Sequence, residues 1–123
     1  MATRKLLPNT LTLRHLLDSG WDADICERSA GRFKFDLFGF ADVMAFKGGE
    51  LLLVQATDFS HSANRTAKVL SNELALKWIH GFARRIEVWA WKYDSNRKPV
   101  LKVTKVLLGQ HGWLTAVKAT PPP

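Results

Sequence analysis

The stretch Phe40-Ala41-Asp42-Val43-Met44-Ala45-Phe46-Lys47-Gly48-Gly49-Glu50-Leu51-Leu52-Leu53-Val54-Gln55-Ala56-Thr57 decides how the rest of the chain is read. Two apolar runs flank Gly48-Gly49, and a glycine pair between such runs is a strong signal for a two-residue hairpin turn. A two-residue turn pairs Lys47 with Glu50, which sets Asp42 opposite Gln55 and Phe40 opposite Thr57. Side chains alternate along a strand, so Asp42 and Gln55 leave the hairpin on one face with Cβ atoms about 4.5–5.5 Å apart. Polar groups converging inside an apolar hairpin cost roughly 1–3 kcal/mol each unless something compensates them. An apolar pair would fill the place at lower cost, so the two oxygen-bearing groups call for a partner. The structural alternative is a plain cross-strand hydrogen bond between them.

Working outward, Asn9 or Thr10 is positioned to cap a helix carrying Leu13, Leu16 and Leu17 on one stripe and ending at Gly20. Trp21 to Arg28 alternates and reads as a first strand. Ser29 to Arg32 reads as a turn, Phe33 to Phe38 is ambiguous, and Gly39 marks a bend or bulge before the hairpin. Ala63 to His80 reads as one helix with Ala63, Ala67, Leu70, Leu74 and Trp78 at helical spacing, stopped by Gly81. Arg85 to Lys92 and Val100 to Leu108 read as two further strands separated by the polar turn Asp94 to Pro99. Residues 109–123, ending in three prolines, read as an irregular arm in which Trp113 and Leu114 can dock. The order helix, three strands, helix, two strands predicts a single α/β domain. Its mixed sheet has a parallel pair across the helical crossover and helices on its flanks.

At 123 residues the chain can bury one core. Its 46% hydrophobic content excludes a disordered chain, and no run approaches the roughly 18 apolar residues of a membrane helix. The Met1-Ala2-Thr3-Arg4-Lys5 start lacks the apolar segment of a secretory signal, and Cys26 stands alone, so a cytoplasmic protein without disulfides or a zinc cluster is expected. The net charge of +7 is uneven: residues 1–58 balance at −1 and residues 59–123 at +8. Acid gathers around the hairpin and base in the second half, a pattern suited to holding a cation with one half and a polyanion with the other. Solubilisation alone would also account for the lysines and arginines.

The acid of the second strand, Asp42, and the polar-x-polar pattern Gln55-Ala56-Thr57 on the third, set in this order of elements, resemble the PD-(D/E)XK nuclease core of restriction endonucleases and Holliday-junction resolvases. The similarity spans roughly residues 10–92. The segments Glu27-Arg28, Asp36-Leu37-Phe38-Gly39-Phe40-Ala41-Asp42 and Val54-Gln55-Ala56-Thr57 resemble small phage and prophage proteins more closely. The resemblance implies a restriction-endonuclease-like fold and a metal-dependent DNA endonuclease in a phage-infected or prophage-bearing bacterial host, acting on branched or distorted DNA and working as a homodimer. It implies Mg²⁺ or Mn²⁺ as cofactor, with Asp42 at the position of the metal-binding acid, Gln55 at that of the second acid and Thr57 at that of the lysine that orients water. Gln55 offers a neutral oxygen in place of a carboxylate, and Thr57 brings no charge, so these two positions depart from the pattern.

Several residues can restore what those departures remove. Glu27 at the end of the first strand and Asp36, bent back across Gly39, can supply acid, with Asp18 on the first helix a third source. Arg65 and Lys68, three apart on the following helix, share a face, and either can replace the lysine. Ser60, His61 and Ser62 begin that helix, where backbone N-H groups suit a phosphate. Each has an ordinary alternative: a turn cap for Asp36, a surface ion pair for Glu27 with Arg28, a solvated face for Arg65 and Lys68, and an exposed cap for His61. Arg84, Arg85, Lys92, Arg97 and Lys98, with Lys102 and Lys105, are candidate phosphate contacts around Trp89 and Trp91, whose rings either pack in the core or stack on unpaired bases. A silent nucleic-acid-binding module with the same fold, or a phage inhibitor of a host protein, fits the same composition.

Overall fold

The computed structural model describes residues 5–119. Its centre is the hairpin of β4 (Val43–Lys47) and β5 (Glu50–Asp58), whose register pairs Lys47 with Glu50 and Val43 with Val54. Gly48 and Gly49 both take positive φ, 56° and 88°, which a two-residue turn of this twist requires and glycine supplies without strain. The predicted register is therefore observed. The paired ladder ends at Val43: Asp42, just outside β4, donates its N-H over 2.8 Å to the carbonyl of Val54, the partner of Val43, and Phe40 N-H turns to Leu37 O, so the expected pairs Asp42–Gln55 and Phe40–Thr57 do not continue the ladder.

Around the hairpin stand α1 (Pro8–Asp18), β1 (Asp22–Ile25), the short strands β2 (Arg28–Ala30) and β3 (Phe33–Phe35), α2 (Ser62–Leu70), α3 (Glu73–Ile79), β6 (Arg84–Tyr93), β7 (Pro99–Leu108) and β8 (Leu114–Ala119). Six strands form one mixed sheet in the order β1-β4-β5-β6-β7-β8, parallel only between β5 and β6, where the helical crossover demands it. α1 covers one face, Leu11 and Leu16 packing with Val43, Leu52, Val54 and Trp89. α2 and α3 cover the other, with Val69, Ala75 and Trp78 against Phe40, Leu53, Ile86 and Val88. The result is an α/β layered fold with three helices among the described residues. None of them is long and apolar enough to cross a membrane.

Four readings of the sequence are corrected, and one left open, the place of Trp89 and Trp91, is decided. The segment after Leu108 is not an irregular arm: β8 pairs antiparallel with β7 from Leu108↔Leu114 to Val103↔Ala119, so the ordered core extends well past residue 108. The three terminal prolines lie outside the described residues. The helix read from Ala63 to His80 is two helices, because Asn72 turns its side-chain oxygen to Ala75 N-H (2.9 Å) and caps a new start. That break moves the buried stripe to Val69, Ala75 and Trp78 and leaves Leu74 exposed. In α1 the buried face is Leu11, Thr12 and Leu16, Leu17 is exposed, and Pro8 starts the helix with no side-chain cap, freeing Asn9. Ser29 to Arg32 and the ambiguous run beyond it form a separate two-stranded hairpin, β2–β3. Trp89 and Trp91 are buried on the α1 side, their indole N-H groups donating to Glu87 and Thr12, which removes them as stacking platforms.

Candidate metal centre in a basic-rimmed cleft

Alternation from Leu51 and Leu53, both in the core beneath α2 and α3, carries Gln55 to the same side of the sheet. Opposite it, Asp42 is anchored through its backbone to two strands, its N-H bonding Val54 O and its C=O accepting from Cys26 N-H, both over 2.8 Å. The run before Asp42 folds back on itself. Leu37 and Ala41 bridge, Gly39 N-H reaches Asp36 O (3.1 Å), and positive φ at Phe38 (56°) and Gly39 (80°) makes the reversal. Asp36 thereby returns beside Asp42, the position expected from the glycine. Asn72 secures the loop from outside, its amide donating to Phe38 O over 3.1 Å.

Glu27, Asp36 and Asp42 each offer a carboxylate oxygen, and these oxygens lie within 4.8 Å of one another, so the cluster could hold a metal ion. They line an open cleft of about 670 Å³ together with Gln55, Arg28, Lys34, Arg65 and Lys68. Lys68 Nζ stands 2.9 Å from Asp36 Oδ2, Lys34 Nζ 3.8 Å from Glu27 Oε1, and Asn9 donates to Glu27 Oε2 over 3.3 Å. Burial, a hydrogen bond with Asp36 and that neighbour's charge push the Asp42 carboxyl up to about 8, despite the backbone N-H of Ala56 that it accepts over 2.9 Å. Burial also works against ionising Asp36, but bonds from Asp42 and Lys68 outweigh it and hold its carboxyl below the usual range. Without a cation, three acids thus share the cleft near neutral pH with a proton retained on Asp42.

Gln55 is 2% exposed and donates through Nε2 to Asp42 Oδ2 and, at 3.4 Å, to Ala56 O. Turning the amide over would set its oxygen against both of those acceptors, so the partners fix its orientation. Gln55 Oε1 is then left as the one buried side-chain polar atom among the described residues with no hydrogen-bond partner. A buried carbonyl so placed costs about 1–3 kcal/mol unless a ligand answers it. The clustered donors are all oxygen, three carboxylates, with the Gln55 amide in the wall of the same cleft, and such a set fits a hard divalent cation such as Mg²⁺, Mn²⁺ or Ca²⁺.

Of the residues expected at the site, Asp42, Gln55, Glu27, Asp36, Arg65 and Lys68 come together. Thr57 is buried and does not line the cleft, and the cations paired with the acids are Lys68 at Asp36 and Lys34 at Glu27. Asp18 lies on α1 in another hollow, with His15 and Trp91. His61 is held by Asp58, its Nδ1 2.8 Å from Oδ1, and bonds from Ser60 and His61 keep that carboxyl below its usual range. Cys26 stands outside the acidic cluster, and burial and the charge of Asp42 push its thiol up to about 11.

Most of the distal basic candidates are occupied locally. Arg84 covers the Trp78 ring at 4.4 Å, Arg85 bonds Glu50 and Glu87, and Lys92 shares the Phe59 ring with Lys102. Arg97 and Lys98 sit exposed in the β6–β7 turn. Sequence reading missed Asn9 and Lys34 as cleft residues. The alternation Phe33-Lys34-Phe35 was the available signal for the strand that carries Lys34. No protein-family model, curated protein or solved structure matches the chain.

Proposed function

We propose that the cleft is the active site of a divalent-metal-dependent DNA endonuclease with a PD-(D/E)XK-like core. The observation that carries this reading is Gln55 Oε1, buried without a partner beside three converging carboxylates. Asp42, Asp36, Glu27 and Gln55 would hold Mg²⁺ or Mn²⁺. When bound, such a cation supplies Lewis-acid polarisation of a phosphoryl oxygen and an activated water. Lys68, on α2 instead of the strand position filled by Thr57, faces Asp36 from the cleft wall and is placed to orient water and offset charge on the phosphate. Arg65, Arg28 and Lys34 would bind flanking phosphates and set the register of the strand without reading its sequence.

Incubation of supercoiled, linear and single-stranded DNA with Mg²⁺, Mn²⁺ or EDTA tests the reading. Cutting is expected only with metal, and Lys68→Ala should slow it by on the order of 10²-fold while Lys68→Arg restores part of the rate. Salt-sensitive binding with no cutting in either metal would replace the enzyme by a nucleic-acid-binding module. That second reading draws on the neutral Gln55 and on Lys68 already neutralising Asp36.

A further inference from the structure

Beside the cleft stands a feature the metal centre does not use. The β2–β3 hairpin belongs to no larger sheet, and every residue of both its strands is exposed. A lone two-stranded hairpin is marginal in water, yet this one turns Phe33 (59% exposed) and Phe35 (45% exposed) outward. Arg28 lies over the Phe35 ring at 5.7 Å and Arg32 over the Phe33 ring at 5.6 Å, while Lys34 stands between them in sequence. No acid lies within the hairpin. Its base is part of the cleft wall, since Arg28, Lys34 and Phe35 line it.

The occupant must match three cations and two exposed aromatic rings, each of which carries a guanidinium over one face. A stretch of nucleic acid does so: phosphates meet Arg28, Arg32 and Lys34, and flat bases meet the phenyl faces. In a duplex the base faces are already stacked on one another, so only unpaired nucleotides present a free face to the rings. We infer that the β2–β3 hairpin is a finger that grips unpaired nucleotides flanking the scissile phosphodiester, so the substrate is DNA with single-stranded character at the cut. This inference rests on the reading of the cleft as a nuclease site and names its substrate class.

Fluorescence anisotropy in EDTA, with a labelled single strand and a blunt duplex of the same sequence, tests the finger apart from cutting. Wild-type protein should prefer the single strand. Phe33→Ala/Phe35→Ala should weaken single-strand binding by at least roughly 5- to 100-fold and leave the duplex nearly unchanged, since each of the two rings removed contributes on that scale. Arg28→Gln/Arg32→Gln should flatten the salt dependence on both DNAs by about one to two phosphate contacts. Both pairs are solvent-facing, and an unchanged thermal midpoint verifies that each variant folds. Unaltered single-strand affinity in the phenylalanine variant, or a wild-type preference for the duplex, would overturn the finger. Finger-dependent binding by a protein that cuts nothing in Mg²⁺ or Mn²⁺ keeps the finger and removes the nuclease. Cutting of a single strand with unchanged KM in the phenylalanine variant does the reverse.

Discussion

Two carboxylates are buried on opposite sides of the same sheet, and their surroundings could hardly differ more. Glu87, 2% exposed on the α1 side, accepts from Trp89 Nε1 (2.9 Å) and Arg85 Nη2 (2.7 Å), and Arg85 continues to Glu50. Asp42, 3% exposed on the α2 side, faces two further acids, and among the described residues no basic side chain lies within ion-pair distance of it. Neither position is explained by hydrophobic burial. Glu87 is balanced within the chain, so its place in the core needs nothing from outside. Asp42 is stacked against like charge, an arrangement that an external cation or a proton would complete.

The comparison breaks most visibly in function. Asp42→Asn keeps an oxygen for Ala56 N-H but loses the charge, and should lower the cutting rate by on the order of 10²–10³-fold, the scale of one preorganised electrostatic group. Glu87→Gln should leave the rate near wild type. A gel-based cleavage time course on both variants reads the difference, and equal losses would show that burial alone, not the acidic cluster, matters.

The second contrast is in stability. Arg85→Ala strands Glu87 in the core and should cost about 2–3 kcal/mol by urea denaturation, less than a fully buried pair would lose because the Arg85 side chain is 35% exposed. Calcium or magnesium affinity measured by calorimetry should be unchanged in that variant.

The third contrast is a slope in pH. The folded Asp42 carboxyl sits at about 8 against an ordinary 3.8, so between those values the folded, metal-free protein holds a proton that the unfolded chain has released. Stability from this group is fully present below the lower value and is lost as pH rises toward the upper one, at up to about 1.4 kcal/mol per pH unit. Asp36, shifted downward, adds its share below that window and leaves the slope to Asp42. Denaturation in EDTA across the range should show the decline in wild type and a flatter curve in Asp42→Asn.

What could be read in advance follows from how locally each feature is encoded. The β4–β5 register needed only Gly48-Gly49 and alternation, and the return of Asp36 needed only Gly39, so most of the centre was visible in sequence. Lys68 was one candidate among several because only the crossover geometry brings α2 over the loop. β8 escaped notice because its residues are mostly exposed and its structure comes from pairing with β7, which leaves little hydrophobic rhythm. The interruption at Asn72 escaped for the opposite reason, lying inside an apolar pattern that continues across it. The β2–β3 finger carries alternation, but its apolar residues face water, where a reading based on burial does not look.

Asn72 does two things with one amide, starting α3 with its oxygen and clasping Phe38 with its nitrogen. The crossover is therefore a brace for the carboxylate spacing, remote from every donor atom. Stiff oxygen cages favour the smaller, octahedral Mg²⁺, and slack ones admit Ca²⁺ with its longer bonds and looser geometry. Were the cluster to hold a cation, its choice of ion would depend on a helix junction as much as on the acids themselves. Asn72→Asp, which preserves the oxygen and discards the clasp, should raise calcium affinity relative to magnesium when the two are compared by calorimetry.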